Sequence, residues 1–360
     1  MDESILKHEE KAVFSLRSLY RKYGYTPYKM SKFEEYEYYI RNKDFLISDR
    51  IITFNDTNGK LLALKPDVTL SIVRNGEDLA GYKQKVCYNE NIYRISDSTG
   101  QYKEIMQAGL ECIGDIDLYD IFETVSLAAQ SLALISDDFV LQISHMGLLT
   151  AVLDSISQNG EFRKQAISYI ARKDAHDLIR LCHTYGIAQN QTELLTLLVS
   201  VYGNREEVLK RLAQRCEGFA PEAVQELNAL SALLNRLPGA ERIVFDFSVV
   251  NNMNYYNGIV FTGFVSGISD SILAGGQYDK LMRKLGRNYG AIGFALYLDL
   301  LEQLPVNRQA YEVDVLVLYD RKTPVDTVMD RVGQLIASGK TVSVQCTIPP
   351  KLRYREVLRM

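Results

Sequence analysis

From about residue 146 to residue 236 the sequence carries a helical pattern rich in Leu, Ala, Gln and Glu, with strand-like segments on both sides. No other feature limits the fold so tightly. Regular alternation of strand and helix would build a parallel sheet with helical crossovers, whereas strands that come in runs build an antiparallel one. The chain therefore reads as α+β: a mainly antiparallel sheet flanked by helices, with a helical insert between its two strand-rich halves.

Ahead of the insert, Val13, Leu16, Leu19, Tyr20 and Tyr23 recur at helical spacing, and Gly24 offers a stop. Residues 51–54 and 61–64, separated by Asn58-Gly59, predict a hairpin. A helix is expected over 69–74, then strands over 86–94 and 104–113 joined by the polar loop 95–101. Ile121, Val125, Ala128, Leu132 and Ile135 form the apolar stripe of a long helix, and 139–144 reads as a strand. Beyond the insert, strands are expected at 243–247, 258–265 and 271–273, and a helix from near Gly293. After Leu304-Pro305 a short β-α-β unit follows, with strands at 314–319 and 341–345 around a helix at 324–337. This predicts one domain over 1–305 and a small, truncated α/β unit over 312–360. The locally basic end, 348–360, reads as a solvated terminal helix.

Apolar residues make up 47% and charged residues 24% of the chain, as in ordinary globular proteins. A net charge of −4 gives no basic excess, which argues against a nucleic-acid partner. Five scattered cysteines and four histidines show no metal-ligand spacing, so neither a disulfide framework nor a metal site is expected. No GxGxxG or P-loop string follows a strand, and no cofactor is expected. The N-terminal MDESILKHEEK lacks the apolar run of a signal peptide, and the most apolar stretch, 125–135, is too short to cross a bilayer. A cytoplasmic protein with no membrane partner is the expectation.

Three strings stand out: LKPDVTLSIVR at 64–74, NIYR at 91–94 followed by GQYKEIMQAGLE at 100–111, and LAGGQYDKL at 273–281 followed by GFALYLD at 293–299. A weaker one is YYNGIVF at 255–261. Arg94, on a strand, could meet a phosphate or carboxylate bidentately, or pair with a neighbouring acid such as Glu111. Gln107 and Glu111 are four apart on a strand and share a face. With Asp67 and Thr69 they would suit a small amine-bearing ligand, or else form a solvated polar face. The double glycine at 275–276 reads as a strand end, serving close backbone approach or an ordinary turn.

In collinear order these strings resemble the histidyl-tRNA synthetases and their non-catalytic relatives, the regulatory subunits of ATP phosphoribosyltransferase. The resemblance runs from about Gly24 to Leu301 and implies the class II aminoacyl-tRNA synthetase catalytic-domain fold. It implies that Asp67, Thr69 and Gln107 hold the α-amino group of histidine. Glu111 and Tyr256 would read the imidazole, with Arg94 and Tyr255 completing a histidine-like pocket.

The departures from that family matter as much as the matches. Adenylate formation develops charge on a phosphate, and preorganised cations must meet it. Arg94 is kept, but the next family arginine is Leu300 here, and a histidine-specific arginine is Asn251. Asn254 replaces an acid, Tyr297 stands where the family has a glycine and could fill space near an adenine, and Ser31 replaces the motif 1 proline although Glu34 matches. The C-terminal unit is too short for a full anticodon-binding domain. The resemblance thus implies a subunit with no catalytic residues. It would activate the short catalytic subunit of ATP phosphoribosyltransferase within a hetero-oligomer, self-associate as a dimer, and contribute to feedback by L-histidine. The alternatives are an active histidyl-tRNA synthetase and a synthetase paralogue with another amino-acid-sensing role.

Each lost cationic donor costs about 3 kcal/mol, so two lower the rate by roughly ten-thousandfold if additive. The expected result of a histidine-dependent ATP–pyrophosphate exchange assay is background. Exchange at a synthetase-like rate would overturn the non-catalytic reading.

Overall fold

The computed structural model describes residues 6–43, 46, 50–76, 81–96, 99–216, 220–250, 255–304 and 310–360. The chain divides into two units, Met1–Leu304 and Pro305–Met360.

In the large unit the strands are, in chain order, β1 (Thr26–Pro27), β2 (Phe33–Glu35), β3 (Thr53–Asn55), β4 (Leu61–Leu64), β5 (Gln84–Ile95), β6 (Tyr102–Gly114), β7 (Phe139–His145), β8 (Tyr202–Gly203), β9 (Ile243–Asp246), β10 (Ile259–Val265), β11 (Leu273–Gln277) and β12 (Gly290–Tyr297). Nine of them form one sheet in the order β1-β5-β6-β12-β11-β10-β7-β9-β8. Pairing is antiparallel except at β1–β5 and β7–β9. The predicted hairpin is β3–β4, which joins β2 in a second sheet. Its turn is held by Asp56, whose Oδ1 accepts from the Asn58 and Lys60 amides, and Gly59 takes φ +80°.

Helices cover both faces of the long sheet. Helix α1 (His8–Lys22) buries Ala12, Leu16 and Tyr20. After the short α2 (Tyr36–Arg41) and α3 (Val68–Asn75), α4 (Leu118–Ala133) buries Ile121, Val125, Ala128 and Leu132. Asp117 caps α4, accepting from the Tyr119 and Asp120 amides. Strand β5 shows how the faces are sorted. Cys87 joins the core under α1 and α4, whereas its neighbours Val86 and Tyr88 join the opposite core with Leu70, Ile72 and Val73 of α3.

The insert is helical as the composition requires: α5 (Met146–Ile156), α6 (Gly160–Ala171), α7 (Ala175–Thr184), α8 (Gln189–Ser200), α9 (Arg205–Cys216) and α10 (Pro221–Leu234). His145, Asn159 and Asp174 cap α5, α6 and α7 through their side chains.

Two expectations fail in the second strand-rich half. No helix begins near Gly293; residues 290–297 are strand β12, hydrogen-bonded to β11 on one side and β6 on the other. A central strand covered on both faces loses the two-residue alternation that would mark it, so a short apolar run looks helical. The double glycine does not end a strand either. Gly275 and Gly276 lie inside β11, where a Cβ on Gly275 would come 2.4 Å from both the Gly293 carbonyl oxygen and Phe294 Cβ.

In the small unit β13 (Val313–Leu318), α11 (Val325–Ala337) and β14 (Val342–Gln345) match the predicted elements. The C-terminal end is not a helix but β15 (Tyr354–Arg359), which pairs parallel with β13 in a three-stranded sheet ordered β14-β13-β15. Pairing with the buried β13 decides the conformation, while most β15 side chains stay exposed.

Gly275→Ala tests the close approach of β11 and β12. Overpacking of this kind costs roughly 1–3 kcal/mol, and the expected outcome is a lower urea midpoint with an unchanged m-value. An unaltered midpoint would show that the strands can separate at no cost.

Candidate ligand pocket

The sheet face opposite α1 and α4 carries a cavity of about 430 Å³. Its wall is built from segments far apart in sequence. Lys65 and Pro66 lead the chain from β4 into α3. Lys65 is fully buried and its Nζ lies 2.8 Å from Glu90 Oε2, while its carbonyl oxygen accepts from the Tyr93 amide. That fixes where α3 starts. Asp67 caps it, Oδ1 accepting from the Leu70 amide at 2.9 Å, and the cap places Asp67, Val68 and Thr69 on the cavity wall.

Strand β6 contributes Gln107 and Glu111, which are buried at 4% and 2% exposure and are therefore not a solvated polar face. Glu111 is held on both oxygens. Thr69 Oγ1 donates to Oε1 at 2.7 Å, and Tyr278 Oη donates to Oε2 at 2.6 Å. Opposite Glu111 in the β6–β12 register stands Gly293, where a Cβ would lie 1.7 Å from Glu111 Oε2. Only a residue without a side chain leaves the carboxyl its place.

Burial pushes the Glu111 carboxyl up to about 8, against the hydrogen bonds from Tyr278 and Thr69, and the neighbouring Asp67 pushes the same way. Burial also raises Asp67, opposed by its cap bond to Leu70 and by the charge of Arg94. The Arg94 Nε donates to the Pro66 carbonyl oxygen at 3.1 Å. Arg94 thus braces the approach to Asp67, while Glu111 is held by the two hydroxyls.

Tyr88, Tyr255, Tyr256, Tyr278 and Tyr297 line the same cavity. The Tyr255 and Tyr256 ring centroids are 4.6 Å apart, and those of Tyr255 and Tyr278 are 5.6 Å apart. Burial raises all five hydroxyls, so they act as neutral hydrogen-bonding groups. A cage of aromatic faces with two buried carboxyls suits a small amine or nitrogen heterocycle.

All seven residues singled out from the sequence, Asp67, Thr69, Arg94, Gln107, Glu111, Tyr255 and Tyr256, line this one cavity. Sequence reasoning missed Tyr278, Tyr88 and the need for Gly293. Tyr278 sits inside the LAGGQYDKL string, but no spacing rule reveals that its hydroxyl meets Glu111. Tyr297, expected to fill space, lines the cavity, and Leu300 packs against the apolar core of the other face. Asn251 and Asn254 lie outside the described residues. Ser31 donates to the Phe33 carbonyl oxygen, and Glu34 accepts from Ser71 Oγ at 2.6 Å. Among the described residues no His, Cys, Asp and Glu group suits a metal ion, and no helix is long and apolar enough to cross a membrane.

The sheet order and the cavity on its face define a class II aminoacyl-tRNA synthetase-like domain. Residues 1–301 match the family model described as histidyl-tRNA synthetase, and the chain belongs to that family. Within it the chain stands with the ATP phosphoribosyltransferase regulatory subunits. The one from Caldanaerobacter subterraneus subsp. tengcongensis is 30% identical over 299 residues, 82% of this chain and 77% of the relative. Two solved structures share the fold. An ATP phosphoribosyltransferase regulatory subunit/histidyl-tRNA synthetase from Bacillus halodurans has a TM-score of 0.80 at 21% identity, covering 98% of this chain and 93% of that one. A chain of the ATP phosphoribosyl transferase (HisG:HisZ) complex from Thermotoga maritima has a TM-score of 0.65 at 20% identity, covering 82% and 98%.

The raised Glu111 carboxyl links stability to pH. The folded chain keeps a proton up to about pH 8 that an unfolded glutamate loses near 4.5. This contribution is complete below the unfolded value and is lost as pH rises through the folded one. Glu111→Gln mimics the protonated acid and lacks the dependence. Urea titrations are expected to show similar stability for both forms near about pH 5 and a more stable Gln variant by about pH 9, by a few kcal/mol. A stability gap that does not change with pH would mean Glu111 is ionised in the folded protein.

Proposed function

We propose that the chain is the non-catalytic regulatory subunit of ATP phosphoribosyltransferase, and that its cavity holds L-histidine, the feedback ligand of histidine biosynthesis. One observation supports the reading: among the described residues that line the cavity, acids, hydroxyls and aromatic rings gather while Arg94 is the one cation. The space of about 430 Å³ accommodates a single amino acid comfortably. Asp67, Thr69 and Gln107 are placed for an α-amino group. Glu111, Tyr255 and Tyr256 are placed for an imidazole, whose ring nitrogens can both donate to and accept from an acid and hydroxyls.

Against this, Leu300 is apolar and packs on the other face of the sheet, so among the described lining residues Arg94 alone could neutralise the phosphates of a nucleotide. The chemistry then belongs to a separate catalytic subunit, in line with the HisG:HisZ complex that contains a similarly folded chain. Histidine would act by favouring one state of the assembly, to the extent that it binds the two states unequally. Self-association as a dimer and a cytoplasmic location belong to the same reading.

The test is the activity of a short catalytic subunit with and without this chain, titrated with L-histidine. Activity is expected to require the chain, and inhibition to require its pocket. Glu111→Ala should raise the histidine concentration for half-inhibition by about tenfold, the loss of one hydrogen-bonded contact that leaves a buried polar group unsatisfied, while leaving activation in place. A catalytic subunit indifferent to this chain would refute the assignment.

A further inference from the structure

The helical insert grips the strands beside the pocket through an ion pair and a hydrogen bond, which fall on either side in sequence of the stretch carrying the paired tyrosines. The first involves Lys173, between α6 and α7. Lys173 has φ 56°, the only positive value at a described non-glycine residue. It ends α6 in a left-handed turn, closed by the Asp174 amide donating to the Tyr169 carbonyl oxygen. Glycine is the usual occupant of such a turn, because a Cβ is disfavoured there. A lysine in that place puts a long side chain to use. Its Nζ lies 2.8 Å from Asp246 Oδ2 and 4.6 Å from the centroid of the Tyr202 ring.

Asp246 ends β9 with its side chain 2% exposed. Its other oxygen accepts from the Ser248 amide at 3.0 Å and from Ser248 Oγ at 2.6 Å. Two residues further on, Val250 lines the ligand cavity. A hydrogen bond anchors the far side. Glu226 of α10 lies 3.1 Å from His145 Nε2, while His145 Nδ1 accepts from the Leu148 amide. His145 is the register partner of Ile259, and the next amide, Met146, donates to the Gly258 carbonyl oxygen. Gly258 is two residues past Tyr256. The insert therefore holds Asp246 before the tyrosines and the 258–259 peptide after them.

We propose that Lys173 is a positioning residue for the pocket, setting Val250, Tyr255 and Tyr256 through Asp246 and Ser248, so that ligand affinity depends on how the insert is seated. The ligand half of this inference rests on the amino-acid reading of the cavity; the positioning half does not. Lys173 touches no ligand itself. Removing its charge leaves a buried carboxylate with only the serine to satisfy it, and the segment must shift to rehydrate it.

The experiment compares Lys173→Met, Lys173→Arg and Arg163→Met in the full chain. Arg163 pairs with Asp154 within the insert, at 2.5 Å, and serves as the control for loosening the insert without touching β9. Calorimetric titration with L-histidine is expected to show about tenfold weaker binding for Lys173→Met, rescue to within about twofold by Lys173→Arg, and no change for Arg163→Met, as for the loss of one partly buried ion pair. Tyrosine ring signals in NMR spectra of the unliganded proteins provide the ligand-free readout. Those of Tyr255 and Tyr256 should move in Lys173→Met and stay in Arg163→Met. Unmoved rings, or equal effects of Lys173→Met and Arg163→Met, would overturn the proposal. Displaced rings in a chain that takes up no histidine would retain the positioning role and remove the amino-acid reading instead.

Discussion

A carboxyl buried without a cationic partner is costly unless it is neutral or fully hydrogen-bonded. Glu111 meets both conditions, and the architecture around it follows from that need. Thr69 arrives from the start of α3, Tyr278 from the junction after β11, and the acid itself from the middle of β6. Three segments separated by most of the large unit must converge before one side chain is satisfied. The pocket cannot form ahead of the sheet, because its central group is stable only once β6, β12 and α3 are in register. The closest supports are themselves braced: Lys65 is tied to Glu90 and Arg94 to the Pro66 carbonyl oxygen, so the loop that begins α3 has little freedom.

The same accounting explains the character of the ligand site. Elsewhere along the sheet, buried acids have ordinary cationic partners, as in Lys83 with Asp120 and Lys85 with Glu123. Those pairs lie on the other side of β5 and β6 and hold α4 in place. Inside the cavity the balance is different: five neutral phenols, two acids whose pKa values burial raises, and Arg94 as the one cation among the described lining residues. Aromatic faces beside buried acids suit a small amine or nitrogen heterocycle.

How much of this could be read from the residues alone depended on whether the signal was local. Helix α4 announced itself through Ile121, Val125, Ala128 and Leu132, and the β3–β4 hairpin through Asn58-Gly59, because a stripe and a turn are written in consecutive residues. Strand β12 did not, since what makes 290–297 extended is pairing with β11 and β6, and a buried strand wears no alternating pattern. The basic C-terminal end misled for a similar reason: its partner, β13, lies some forty residues upstream in sequence, as the Val313–Tyr354 register shows. The pocket was legible through motif resemblance in its acids and paired tyrosines. Tyr278 and Gly293 were not, because one acts through a hydroxyl delivered from another strand and the other through the atoms it lacks.

That last residue has an evolutionary corollary. Position 293 and position 111 face each other across two strands at less than the width of a methyl group. A descendant that acquires any side chain at 293 must displace the acid and also shift the strand beside it, since a Cβ there would lie 2.4 Å from the Leu110 carbonyl oxygen. A larger residue at the first position would therefore mark, by sterics alone, a relative in which the carboxyl no longer stands where it does here.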